Sequence, residues 1–292
     1  VPELPDLEIY RESLDSRVLH RILEDIRIVS PFLLRTVDPP AAAVRGKKVL
    51  SVRRLGKRLV FDVEDRIHLL IHLMIAGRLQ WKENHPPVPK KIGLAAFDFE
   101  NGTMLLVESG SKRRASLHIV RGEDGLRAFE PGGIELLDSD LGSFTEALRR
   151  ENHTLKRALT TPHLISGIGN AYSDEILHRA QLSPLKKSVD LTDREIEILY
   201  HSSRELLTEW IQRLRERAGG RFPERVTAFQ EGMSVHGRYG KPCPVCGTTV
   251  QRIVYADNEC NYCPHCQTKG KLLADRALSR LLKADWPKKI AE

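Results

Sequence analysis

The sequence predicts an α+β protein: an amino-terminal helix, a mostly antiparallel β domain, a helical region and a terminal four-cysteine module. Three observations carry this. Residues 5–20 place Leu7, Tyr10, Leu14 and Val18 at near-helical spacing. Apolar segments between about 44 and 120 are short and rich in strand formers, whereas after residue 142 the apolar period becomes helical. All five cysteines, 243, 246, 260, 263 and 266, fall in the last fifth of the chain, unlike a disulfide framework spread over a secreted domain.

The elements follow in order. The opening "VPELPDLEIY" carries three acids, two prolines and no apolar h-region, so no cleavable leader is expected and the default compartment is the cytoplasm. "LVFDV" (59–63) and "RIHLLIHL" (66–73) have strand length and composition. "FDFENGTMLLVE" reads as a hairpin with Asn101-Gly102 as a type I′ turn pair. "PPVPKK" (86–91) is a loop, and the Pro/Gly-rich acidic stretch 129–142 reads as a linker. Ser143 to Glu146 and Thr192 to Glu195 have capping-box spacing. The helix opened by Thr192 carries Ile196, Leu199, Leu206, Trp210 and Leu214 on one side and stops at Gly219-Gly220. A shorter helix starts near Asn170. The longest apolar run, "HLLIHLMIAG", is about half a membrane span and holds two histidines, so no transmembrane helix is expected.

At 292 residues, 41% apolar and 29% charged, the chain is long enough for two domains and a small module, and its composition excludes a disordered protein. A net charge of +7 and a pI near 9.2 suit a polyanionic partner such as nucleic acid or an anionic membrane surface. The cysteines spell Cys-x2-Cys, sixteen residues, Cys-x2-Cys. Two such knuckles give the tetrahedral sulfur site that Zn²⁺ prefers. Cys243, Cys246, Cys263 and Cys266 fill its shell, so the metal is structural and single. Cys260 falls outside the spacing as an ordinary thiol, and His265 is a bystander. "QRIVYADNEC" supplies the strands and tip of a zinc hairpin. "LISGIGNAYSDEIL" sets two glycines before a helix. That is a place for a DNA phosphate at the helix N-terminus, or a helix–helix turn capped by Asn170.

In one order, "PELPDLE", "RLGKRLVF" with Lys57, "IHLMIAGRL" with His72, "HTLKRAL" with Lys156, "SGIGNAYSDEIL" and the four-cysteine ribbon resemble the formamidopyrimidine-DNA glycosylase and endonuclease VIII family of base-excision repair enzymes. The resemblance covers residues 2 to about 267. It implies a catalytic N-terminal β-sandwich domain with a long helix (1–130), a linker (131–142), a helix–two-turn–helix DNA-binding domain (143–234), a zinc finger (235–268) and a C-terminal extension (269–292). It implies a monomer acting on damaged double-stranded DNA, with no membrane partner, in the bacterial cytoplasm at the nucleoid.

It further implies a glycosylase that also cleaves abasic sites by β,δ-elimination, with Pro2 as nucleophile and Glu3 as acid/base. An α-amine has an unperturbed pKa near 8, so more of it is a free nucleophile at neutral pH than of a lysine. A proline nitrogen yields an iminium whose fixed charge draws electrons from the elimination steps. Lys57, on a β-turn, matches the family lysine serving phosphate or proton transfer. His72, Lys156, Asn170 and Tyr172 match DNA-gripping positions, while Asp6 and Glu175 match acidic positions of catalytic or structural role. Pro2 attacks only as a free amine. Val1 is therefore expected to be absent from the mature chain, as a GTG start read as methionine and removed.

The chain departs from the family pattern in four places. The hairpin-tip arginine is Asn258, followed by Glu259, which weakens the grip or passes it to another side chain. The wedge that fills the flipped-out base's place reads Ile75, Arg113 and Ala115 where the family has Met, Arg and Phe. The segment from Gly219-Gly220 to Phe229 is short, more like endonuclease VIII, which prefers oxidised pyrimidines. Residues 272–282 extend past the ribbon as an amphipathic helix docked on the protein. A non-catalytic lesion- or structure-specific DNA-binding protein on the same scaffold is the alternative, and a zinc-ribbon RNA-binding factor a more distant one.

Overall fold

A computed structural model of the chain describes residues 1–110, 112–224, 226–227, 230–255, 258–274 and 281. The chain divides into two units: Val1–Pro131 with Trp210–Thr227, and Gly132–Glu209 with Ala228–Glu292.

In the first unit, α1 (Leu4–Val18) buries the stripe Leu7, Tyr10, Leu14 and Val18 completely. The Tyr10 hydroxyl, taken out of water, accepts a hydrogen bond from the Leu79 N–H at 3.3 Å. Eight antiparallel strands follow: β1 (Ile22–Ile28), β2 (Lys47–Leu55), β3 (Arg58–Val63), β4 (Ile67–His72), β5 (Gly77–Lys82), β6 (Gly93–Phe99), β7 (Gly102–Glu108) and β8 (Ser116–Arg121). Their order is β5-β7-β6-β1-β2-β3-β4-β8. β1 and β2 are paired only at Ile22–Lys48 and Leu23–Lys47. The ladder bends at this narrow join, so the sandwich is one continuous sheet folded on itself. Phe97, Met104 and Leu106 from one half meet Leu59, Phe61, Ile71 and Leu117 from the other, together with the α1 stripe. Each such side chain contributes about 1.5–3 kcal/mol of transfer free energy. The outer face of β3, β4 and β8 has its own small cluster of Val60, Leu70, Val120 and Leu126, with Leu126 in α2 (Gly122–Arg127).

The hairpin turn differs by one residue from the expected one. Phe99 pairs with Gly102, so Glu100-Asn101 form the turn, and neither has positive φ. Gly102 is required for a different reason. Its φ is +151, and a Cβ there would come within 2.7 Å of the Trp81 ring and the Lys82 carbonyl.

The second unit contains α3 (Leu141–Arg149), α4 (Leu155–Thr160), α5 (Asn170–Arg179), most of α6 (Asp193–Ala218), the hairpin β9 (Gln251–Tyr255) and β10 (Asn258–Tyr262), and α7 (Pro264–Thr268). Asp140, not Ser143, caps α3: its carboxylate accepts the Ser143 N–H at 2.8 Å and starts the helix earlier. The Thr192–Glu195 box forms reciprocally, at 2.9 and 3.2 Å. Ile196, Leu199, Leu206 and Trp210 are buried along α6, and the helix ends where Gly219 and Gly220 take φ of +54 and +77.

The acidic stretch after Gly132 is packed rather than a free tether. Leu136 is fully buried, and the Ser139 carbonyl accepts the Tyr200 hydroxyl at 2.8 Å. At the other end, Leu273 is buried and its N–H donates to the Tyr262 hydroxyl at 2.8 Å. The expected helix through Leu282 otherwise lies outside the described residues, apart from exposed Leu281. Among the described residues no helix is long and apolar enough to cross a membrane.

Candidate active site and nucleic-acid interface

Pro2 and Glu3 are buried at the start of α1, where the Glu3 N–H donates to Asp6 Oδ2 at 2.9 Å. Burial pushes the Asp6 carboxyl up to about 7, against the pull of that N–H. Asp6 thus ties down the turn that carries the opening residues. Burial also pushes the α-amino group at the chain start below its ordinary value. Glu3 opposes this, and Arg78 and Lys57 reinforce it.

Lys57 lies in the two-residue turn between β2 and β3, and Gly56 before it takes φ of +59. Arg78 was not singled out by the sequence, where it is one basic residue among forty-six. Its Nη1 donates to the Ile75 carbonyl at 3.2 Å and the Gly77 carbonyl at 2.6 Å, bracing the β4–β5 turn. That turn presents Ile75, 57% exposed, as an apolar tip. It is tight because Gly77 packs on the Leu73 carbonyl, 2.3 Å from where a Cβ would sit. His72 accepts the Met74 N–H on Nδ1 at 3.0 Å, which leaves the proton of the neutral ring on Nε2. Burial, with Arg58, Lys57 and His118 adding to it, lowers His72 to about 4, so the ring is neutral at pH 7.

Arg113 is exposed and donates to the Lys91 carbonyl. Ala115 differs from the wedge expectation: it is buried in the sandwich core. Its N–H and that of Arg114 are held by the buried Glu108 carboxylate at 3.0 and 2.9 Å. A phenylalanine there would face the core, not the DNA. The short segment after Gly220 is likewise anchored, with Phe222 5.7 Å from the Tyr10 ring and Val226 in the same core. Phe229, at the far end of that segment, lies outside the described residues.

In the second unit the expected phosphate-gripping residues are occupied by the protein itself. Lys156 Nζ donates to the Asn170 carbonyl at 2.7 Å, Ser173 Oγ at 2.8 Å and Asp174 Oδ1 at 2.5 Å. An ammonium has three N–H groups, so none is left for a phosphate. Tyr172 is fully buried, a placement at odds with a direct DNA contact. Asn170 is the first residue of α5 rather than its cap, which is Gly169, and its Nδ2 donates to the Glu259 carbonyl at 2.8 Å. Asn258, exposed, begins β10. Arg252 is the one cation in 251–262. It stands 4.4 Å over the Tyr239 ring and pairs with Glu259 at 3.2 Å.

α5 also ties the cysteine module to the helices. Asp174 Oδ2 accepts the Asn261 N–H at 3.1 Å and lies 2.8 Å from His236 Nδ1. Glu175 accepts the N–H groups of Ser234, Val235 and His236 at 2.7, 2.8 and 2.9 Å, which makes its role structural. Burial still pushes Glu175 up. His178 Nε2 lies 3.3 Å from Cys243 Sγ.

The sulfurs of Cys243, Cys246, Cys263 and Cys266 lie within 4.8 Å of one another, with Cys246–Cys263 at 3.4 Å and Cys243–Cys266 at 4.0 Å. Zn–S bonds of about 2.3 Å in a tetrahedron put sulfurs about 3.8 Å apart. The four cysteines therefore fit one structural Zn²⁺. Cys260 is buried outside this set, and His265 is exposed.

Three family descriptions match the chain: "Formamidopyrimidine-DNA glycosylase N-terminal domain" over residues 1–114, "Formamidopyrimidine-DNA glycosylase H2TH domain" over 133–218 and "Zinc finger found in FPG and IleRS" over 240–269. A formamidopyrimidine-DNA glycosylase of Pelotomaculum thermopropionicum is 31% identical over 279 residues, covering 91% of this chain and 99% of the relative. The MutM (Fpg) crystal structure from Thermus thermophilus is similar with a TM-score of 0.77 and 31% identity, over 91% of this chain and 98% of that one. The Lactococcus lactis Fpg complex with Fapy-dG containing DNA has a TM-score of 0.80 and 26% identity, over 91% and 100%. With the helix-capped Pro2-Glu3 start, the helical second unit and the four-cysteine site in one chain, the protein belongs to the formamidopyrimidine-DNA glycosylase family.

Proposed function

We propose that this protein excises oxidised bases from double-stranded DNA and cleaves the strand at the resulting abasic site, with Pro2 as nucleophile. The carrying observation is the buried Pro2-Glu3 pair, with Asp6 bonded behind it and Lys57 and Arg78 adding positive field. The Pro2 nitrogen attacks the sugar C1′ as the bond to the base breaks. Glu3 gives its proton to the ring oxygen as the sugar opens, and the iminium draws electrons as the C3′–O and then the C5′–O bonds break. Lys57 serves phosphate or proton transfer. His72, as a neutral Nε2–H donor, faces a phosphate oxygen, Ile75 enters the base stack, and exposed Arg113 follows it. The cysteine module carries one structural Zn²⁺, and Asn170, Asn258 and Arg252 lie on its DNA-facing side. Lys156 and Tyr172 support the fold. The protein acts as a monomer in the cytoplasm, at the nucleoid.

Two lines support this reading: membership of the family, and relatives whose names and complexes speak of formamidopyrimidine and abasic-site DNA. Borohydride trapping on abasic-site DNA tests it. Protein beginning at Pro2 is expected to form a covalent adduct, and protein retaining Val1 is not, because its Pro2 nitrogen is an amide. No adduct from either defeats the reading.

A scaffold that binds lesions without cutting them is the second reading. The buried Ala115 and the engaged Lys156 favour it. It predicts binding without nicking, unaltered in Glu3→Gln. A duplex panel carrying 8-oxoguanine, formamidopyrimidine, thymine glycol, dihydrouracil or an abasic site ranks the lesions.

A further inference from the structure

Arg58 opens β3 directly across from His72 on β4, which lies across from Ser116 on β8. His118 is two residues further along β8, so by strand alternation Arg58, His72 and His118 share one face. It is the face away from the main core, since Leu59, Ile71 and Leu117 point the other way into it. Arg58 Nη1 donates to the Phe129 carbonyl at 3.3 Å, and its guanidinium stands 5.8 Å from the Phe129 ring. The His118 ring lies 4.6 Å from the same ring. Arg58 Nε and His118 Nδ1 are buried with no hydrogen-bond partner among the described residues.

No carboxylate offsets this charge. Among the described residues Arg58 forms no ion pair. Burial alone pushes its guanidinium down, and burial followed by Arg58 and Arg35 lowers His118. A partly buried arginine is ordinarily paired, because an uncompensated charge out of water is expensive. Here the neighbours are Lys57 in the adjacent turn, His72, His118 and exposed Arg35, all basic. A cluster of this kind suits an anion with several acceptor oxygens, which a guanidinium fork and a histidine N–H bind with charge-assisted hydrogen bonds.

We propose that Arg58 and His118 form a phosphodiester subsite beside His72, holding one DNA backbone phosphate in addition to the contacts made by Lys57 and His72. The assignment of DNA as the source of the anion rests on the proposed glycosylase function.

The test is equilibrium binding of wild type, Arg58→Gln and Arg58→Lys to a duplex with a tetrahydrofuran abasic analogue, from about 50 to 200 mM KCl. The slope of log K against log salt is expected to be shallower by about 0.9 in Arg58→Gln, with affinity down about tenfold at the low end. Arg58→Lys keeps the charge and the slope but recovers only part of the affinity, since it lacks the planar fork. In parallel, inorganic phosphate titrated into wild type should shift the His118 ring resonances saturably, and should not do so in Arg58→Gln. A slope unchanged in Arg58→Gln, with its melting temperature also unchanged, overturns the subsite. If Arg58→Gln fails to fold, Arg58→Lys decides: full wild-type affinity there overturns it, because an unspecific charge then suffices. Borohydride trapping separates the two readings. A lost slope without trapping leaves the subsite and removes the enzyme. Trapping with an unchanged slope does the reverse.

Discussion

Two half-buried cations show how differently the two units use charge. Lys156 in the second unit spends its three N–H groups on Asn170, Ser173 and Asp174, inside a network that runs on to His236 and Asn261. Arg58 in the first unit has one carbonyl, one aromatic ring and no acid. The first arrangement is complete without a ligand and holds α5 to the zinc module. The second is electrostatically unfinished. The lesson is that a basic residue matching a phosphate-gripping position need not be available to a phosphate, and its hydrogen-bond inventory decides.

The largest effect expected on this contrast is at the metal. Chelation of zinc, or Cys263→Ser, should unfold the cysteine module, because binding free energy there is folding free energy. Native mass spectrometry for bound zinc and a shift in the melting curve check it. An unchanged melt with zinc lost would mean that the α5 hooks alone suffice. Next comes Lys156→Met. Leaving Asp174 Oδ1 buried without its ammonium, though Oδ2 keeps Asn261 and His236, should cost about 3 kcal/mol in denaturant unfolding, while the salt slope of DNA binding stays near wild type. A slope change as large as that of Arg58→Gln would erase the distinction between the two cations.

Glu175→Gln should cost about 1–3 kcal/mol, since an amide nitrogen then faces backbone donors. The measure is again denaturant unfolding. A neutral result would show that water can replace the carboxylate.

The most gradual effect, spread over several pH units, is a pH effect on the first unit. Asp6 is raised from 3.8 to about 7 by burial. Its folded state holds the proton more tightly than the unfolded chain does. The associated stability is therefore fully present below about pH 4 and is lost as pH rises through 7. Asp6→Asn should remove this dependence, which reaches at most about 1.4 kcal/mol per pH unit. Stability curves of the two proteins from pH 4 to 8 should diverge in favour of the variant at the alkaline end, and parallel curves would mean that Asp6 titrates normally.

Local signals were legible where one segment determines them. The α1 stripe, the Thr192–Glu195 box, the Gly219-Gly220 stop and the four-cysteine spacing depend on neighbours in the chain, and each is found where its residues point. Local signals give way where a distant group competes. Gly102 makes room for Trp81 rather than forming the turn, and Asp140 reaches the α3 amide before Ser143 does.

By itself, then, the sequence determined the α+β order of elements, the metal site and the family, because periodicity, caps and ligand spacing are short-range and the motif order is written in the chain. Only the tertiary structure decided which charges are spent and which are free. Tyr172 and Ala115 are taken into cores, Lys156 and Glu175 into hydrogen-bond networks, and Arg58 is left beside His118 at the end of its face away from Asp62, which is itself spent on Arg53 and His68. Those outcomes depend on which atoms the fold brings within about 3 Å of one another, and no spacing along the chain encodes that.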